Sequence, residues 1–217
     1  MSNQNYGDSE LDSIKKLKAE VQKRLVKNDP AHDFEHIMRV YKNAEKIGKK
    51  EKANMRLVRA SVLLHDIVSY SKSDKRSKRA STESALQAAK MLKRYGYDGH
   101  EIYIIAQAIR EHSFSKGMVP RTLEGKVLQD ADRLDALGAI GIARTFAVGG
   151  AEKRPFYNKD DPFCHKRSTN DKKWTLDHFY KKLLLLEKKM NTKTAKKEAR
   201  SKTIMMKRFL DDLKKEI

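Results

Sequence analysis

Three stretches of this chain place histidine and aspartate in otherwise apolar surroundings, where a polar side chain needs a partner to offset its desolvation. His36 lies in Asp33-Phe34-Glu35-His36-Ile37-Met38-Arg39-Val40. His65-Asp66 closes the run Ala60-Ser61-Val62-Leu63-Leu64, and Asp132 lies in Leu128-Gln129-Asp130-Ala131-Asp132-Arg133-Leu134. Alone, each is ordinary, since a buried histidine is more often a hydrogen-bonded core residue than a ligand. Together, two imidazoles and two carboxylates offer the nitrogen and oxygen ligation that suits one divalent ion, Mn²⁺, Ni²⁺, Co²⁺, Fe²⁺ or Mg²⁺, with room for water and a phosphate oxygen. The chemistry this supports is attack of a metal-activated water on phosphorus.

Asp66 or Asp130 is the candidate acceptor of the water's proton. Asp130, two residues before Asp132, points differently from it on a helix and better suits a supporting role beside an arginine or histidine. Charge building on the phosphate needs fixed donors, for which Arg39, Lys72, His112 and Arg133 are the candidates. Arg39 follows His36 by three residues and shares its helix face. His112 ends an apolar helix, where the C-terminal dipole favours a cationic imidazole. Lys72 opens a basic segment with Lys75, Arg76, Lys78 and Arg79, placed either to neutralise a triphosphate or simply to be solvated. His32 and Asp135 lie close enough in sequence to approach the same site; His165 and His178 read as loop histidines. Phe156, Tyr157, Phe163 and Trp174 border a long loop, where aromatic rings stack on a base or pack back onto the fold.

The elements that must position these residues read as helices. Leu11, Ile14, Leu17, Val21 and Leu25 recur at helical spacing up to Pro30, after about ten polar residues expected to fray. Asp33 caps a second helix with the stripe Phe34, Ile37, Val40, Tyr41, Ala44 and Ile47, and Gly48 is its expected stop. A third runs from about Asn54 to Asp66. Ser81 and Thr82 open a fourth, Ile102 to His112 marks a fifth, and two more cover about 122–137 and 139–148, with Gly138 and Gly141 allowing close backbone approach. The segment 149–173 has weak periodicity and suggests a lid or binding loop. Thr175 starts a helix through Met190, and Thr192 starts the last. No segment alternates as a strand would. The expected fold is all-α, with eight to nine helices in a single domain over 11–217.

Of the 217 residues, 39% are hydrophobic, which excludes a wholly disordered chain. Cys164 is the only cysteine, so an internal disulfide, a zinc knuckle and a dithiol redox motif are excluded. No export signal or run of eighteen apolar residues is present, and a cytoplasmic protein without a membrane partner is expected. The net charge of +19, from 48 basic and 29 acidic residues, raises the alternative of a nucleic-acid-binding module without turnover. The basic residues are spread along helices and mixed with acids, which favours a solvated surface.

The pattern His36, His65-Asp66, Asp132 resembles the HD-domain superfamily of metal-dependent phosphohydrolases. The stretch from Gln129 through Arg144 is similar to the signature of a bacterial and archaeal branch of that superfamily, as are His112-Ser113-Phe114-Ser115 and the run from His178 to Leu184. The resemblance spans about 30–215 and implies a helical HD fold with one divalent metal, held by His36, His65, Asp66 and Asp132, and a small-molecule nucleotide substrate. Members similar to this branch hydrolyse nucleotides, some releasing pyrophosphate from nucleoside triphosphates; others in the superfamily are 5′-nucleotidases, phosphodiesterases or guanosine tetraphosphate hydrolases. The chain departs from the last group, whose His-Asp pair is followed after two residues by Glu-Asp, because Ser69 and Tyr70 stand there. It also lacks the glutamate that nucleotidases place just after the pair. A nucleoside triphosphate pyrophosphohydrolase is therefore the leading expectation.

Overall fold

The computed structural model describes residues 2–25, 33–70 and 74–217. His32, Lys72 and the expected helix end at Pro30 lie outside the described residues. Among these there are nine α-helices and no strand, so the chain is all-α as expected. It divides into two compact units, residues 1–132 and 133–217.

In the first unit, α1 (Ser2–Leu25) starts well before Leu11, where fraying was expected to end. No proline interrupts those polar residues, and extending a helix is cheaper than nucleating one. α2 (Phe34–Glu51) is capped by Asp33, whose carboxylate accepts the His36 N–H at 2.8 Å. Gly48 does not end it. The left-handed residue is Lys52, and Gly48 lies inside the helix, where a Cβ would come 2.6 Å from the Met55 sulfur. α3 (Met55–Leu64) is capped by Asn54 and buries every side chain from Leu57 to Leu64 except Arg59. A helix apolar on nearly all sides is a core helix, and α3 packs against α1, α2, α4 (Ala80–Leu92) and α5 (Gly99–Glu111). Asp98 and Glu101 form a capping box at the start of α5. α6 (Leu123–Asp135) is tied to α2 by the Asn43 amide, which donates to the Ala131 carbonyl at 3.2 Å.

The second unit is built on α7 (Gly138–Ala151) packed against α9 (Lys193–Glu216). Gly141 has the expected close approach: a Cβ would sit 2.2 Å from the Ala136 carbonyl oxygen. Thr192 caps α9 as expected. The helix expected from Thr175 to Met190 is broken. α8 covers only Asp177–Lys181, and two 3₁₀ turns follow, Leu183–Leu185 and Glu187–Lys189. Three residues per turn bring Leu183 and Leu186, both buried, onto one line.

The long segment before α8 is not loose. Asp177 is fully buried and accepts two Arg167 guanidinium bonds at 2.6 and 2.7 Å and the Asn170 N–H at 2.6 Å. Arg167 also stacks on Trp174 at 4.3 Å. Phe156 packs edge-on against Phe146 at 5.3 Å, and Tyr157 helps line an apolar cavity of about 240 Å³. No single helix among the described residues is long and apolar enough to cross a membrane.

Candidate metal centre

α3 ends at His65 and α5 ends at His112, and the two helices pack together, so both imidazoles emerge from helix C-termini side by side. Their rings are 5.0 Å apart and nearly perpendicular. Each ring is oriented in the same way. His65 Nδ1 lies 2.8 Å from the Val62 carbonyl and His112 Nδ1 lies 2.6 Å from the Ile109 carbonyl. A carbonyl only accepts, so both Nδ1 atoms carry hydrogen and both Nε2 atoms face inward. Two C-terminal dipoles aimed at one point also make it attractive to a cation.

The remaining groups come from α2, α6 and the turn after α3. His36 occupies the first turn of α2, set by the Asp33 cap, and its ring lies 5.4 Å from that of His65. His36 Nε2 is 3.8 Å from Asp66 and 3.6 Å from Asp132. Asp66 Oδ2 is also 3.6 Å from His65 Nε2, and Asp66 Oδ1 is 3.6 Å from His112 Nε2. Ligand atoms of His36, His65 and Asp66 lie within 4.8 Å of one another. His65 Nε2 is fully buried without a hydrogen-bond partner. An imidazole lone pair buried toward two carboxylates fits a divalent cation.

Electrostatics separates the two helix-end histidines. Burial holds the His65 pKa below its usual value despite Asp66 beside it, which keeps the ring neutral and able to ligate. Burial acts on His112 in the same sense, but Asp66 and Asp132 outweigh it and raise its pKa. Burial works to raise the Asp132 pKa, yet His36, His65 and His112 lower it overall, so the carboxylate stays charged.

Other expected residues are placed as follows. Arg39 is half-buried on α2, one turn beyond His36. Asp130 is fully buried on α6, about 200° around the helix from Asp132. Arg133 is buried and donates to the Lys189 carbonyl. Asp135 pairs with Arg144 at 2.6 Å, and His178 pairs with Asp171 at 2.9 Å.

One supporting residue escaped the sequence reading. Ser84, fully buried on α4, accepts the Val68 N–H at 3.1 Å and donates to the Val68 carbonyl at 3.2 Å. It thereby holds the turn that carries Asp66. Tyr70 adds a second fastening by donating to Glu83 at 2.5 Å. A serine in an amphipathic helix carries no sequence signal for this.

The HD domain family matches residues 33–137. The chain is 33% identical over 212 residues to YpgQ, an uncharacterized protein of Bacillus subtilis, covering 96% of this chain and 95% of that protein. The crystal structure of YpgQ in complex with ADP superposes with a TM-score of 0.74 at 31% identity, over 96% of this chain and 97% of that one. An HD-superfamily hydrolase from Bacillus thuringiensis gives a TM-score of 0.73 at 34% identity, over 95% and 97% of the two chains. A predicted HD-superfamily hydrolase from an uncultured Thermotogales bacterium gives 0.63 at 28% identity, over 93% and 91%. Related to these proteins over almost its full length, the chain belongs to the HD-domain superfamily and is a metal-dependent phosphohydrolase.

Proposed function

We propose that the protein hydrolyses nucleotides, and most concretely that it converts nucleoside triphosphates to the monophosphate and pyrophosphate. The convergence of His36, His65, Asp66 and Asp132 carries this reading. The nucleotide as substrate class draws on the similarity to YpgQ, which has been crystallised with ADP.

In this reading those four residues hold one divalent ion of the Mn²⁺, Ni²⁺, Co²⁺, Fe²⁺ or Mg²⁺ type. When bound, such an ion supplies Lewis acidity and a water acidic enough to react near neutral pH. Asp66, whose carboxylate lies 3.6–3.8 Å from His36, His65 and His112, is assigned as the acceptor of the water's proton, and Asp130 as the second candidate. His112 donates to the phosphate through Nε2, its Nδ1 already committed to Ile109. Arg39 is the second donor. Arg133 would have to exchange its bond to the Lys189 carbonyl to reach a phosphate, and Lys72 completes the proposed set.

Elemental analysis of the purified protein, paired with nucleoside mono-, di- and triphosphates under Mn²⁺, Mg²⁺, Co²⁺ and Ni²⁺, tests this directly. One metal per chain and pyrophosphate release are expected, both lost in His65→Ala. Arg39→Ala should raise KM while leaving metal content intact. Phosphate release from monophosphates alone would replace the reading with a nucleotidase, and absence of metal would refute it.

A further inference from the structure

α9 carries charge that neither its packing nor the metal chemistry uses. Ala195, Ala199, Thr203, Met206 and Leu210 form its buried line. At about 100° per residue, the exposed Lys193, Lys196, Lys197, Arg200, Lys207 and Arg208 fall within a sector of about 120°. Lys214 extends the row to about 32 Å along the helix axis. Asp211 is the one acid in that sector.

Among the described residues no ion pair engages these seven cations, whereas Lys215, next to Lys214, pairs with Asp212 at 2.7 Å. Instead, α9 sets Lys193 against Lys197 and Lys196 against Arg200, one turn apart, where like charges repel. Intramolecular stability gives no reason for such a row. A polyanion laid along it would turn the repulsion into counterion release.

We infer that this face of α9 is a docking surface for the phosphate backbone of double-stranded DNA. The row lies on one continuous helix and is close in length to one duplex turn of about 34 Å. Single strands are held largely by aromatic stacking, and the row contains no aromatic ring. Ile204 and Met205 are the only large apolar side chains exposed on α9 before its C-terminal residue, too few to seat a helix in a bilayer surface. The inference is independent of the nucleotide reading.

The test is fluorescence anisotropy of the full chain with a short DNA duplex, titrated at several salt concentrations. Lys196→Gln, Lys197→Gln, Arg200→Gln and Arg208→Gln combined should reduce the slope of log Kd against log salt by about 3 to 4, at roughly 0.9 per phosphate contact. Lys15→Gln, Lys23→Gln, Lys90→Gln and Lys93→Gln combined, all exposed in the first unit, should leave it unchanged. Nucleotide turnover should be equal in both. Acetylation footprinting of the unmodified protein gives a second readout, with Lys193, Lys196, Lys197 and Lys207 protected by the duplex. Equal slope losses in the two variants, no protection of those lysines, or tighter binding to duplex RNA or phosphatidylserine vesicles would each overturn the inference.

Discussion

Removing the Ser84 hydroxyl should weaken metal binding without touching a ligand. Its oxygen exchanges two hydrogen bonds with Val68, two residues beyond Asp66, at a position closed to solvent. Ser84→Ala leaves the Val68 N–H and carbonyl without that partner. Each lost bond is worth about 0.5–1.5 kcal/mol, and more where the orphaned group stays dry, so the total is about 1–3 kcal/mol. Whatever part of this the turn recovers by relaxing is recovered by letting Asp66 move, and 1.4 kcal/mol corresponds to tenfold in affinity. A fall of about 10- to 100-fold in Mn²⁺ affinity is expected, in the range typical for groups that orient ligands. Isothermal titration of the metal-free protein measures it without reference to turnover. Ala88→Gly, on the same helix, provides the control: it costs about 1 kcal/mol of helix stability and should leave the affinity intact. Equal affinities in Ser84→Ala and the unmodified protein, or equal losses in Ser84→Ala and the control, would refute the argument.

His112→Ala should retain the metal and lose about 10²–10³ in kcat, as removal of a fixed donor to developing charge does; loss of metal in parallel would make His112 a ligand instead. Arg167→Ala should cost about 3–5 kcal/mol in urea unfolding by leaving the Asp177 carboxylate buried without its main partner. Burial raises the Asp177 pKa, but Arg167 and the Asn170 N–H lower it overall. In the unmodified protein this contribution to stability is therefore present above the unfolded carboxylate value of about 3.9 and fades as pH falls toward the folded one. Without Arg167 burial dominates and the proton is welcome, so the gap between the two proteins should narrow on acidification; a gap that widens would contradict this. Burial, with Asp177 beside it, pushes the Cys164 thiol up to about 11. Alkylation at pH 8 should therefore be far slower than for a free thiol, and a rate equal to glutathione's would count against that environment.

Three helix starts were legible because capping is local chemistry: Asp33, Asn54 and Thr192 each accept backbone N–H groups at the first turn they were expected to open, whereas α4 and α8 begin at Ala80 and Asp177 without a side-chain cap from Ser81, Thr82 or Thr175. The four proposed ligands were legible for a different reason, since histidine and aspartate in apolar runs stand out against their neighbours. What stayed hidden depends on partners distant in sequence. Gly48 looked like a stop because its reason to be glycine is Met55, seven residues on. The break after Lys181 follows from which leucines the core accepts, and helical spacing alone allowed a continuous helix. The segment 149–173 read only as a lid or binding loop because the Arg167–Asp177 anchor is invisible until both ends are placed. Ser84 belongs to the same class.

Because α3 is held by apolar packing against four other helices, contacts that do not run through the proposed ligands, folding and metal loading should be separable events. A zinc finger must find its ion to fold, and its folding energy enforces the choice. Here the helices that present the proposed ligands are held by their own apolar contacts, and a bound ion would add stability by mass action, about 2.7 kcal/mol at a hundredfold excess over Kd. Which divalent ion sits in the site then reflects the pool the finished protein meets, and metal occupancy can follow changes in that pool without the chain being remade.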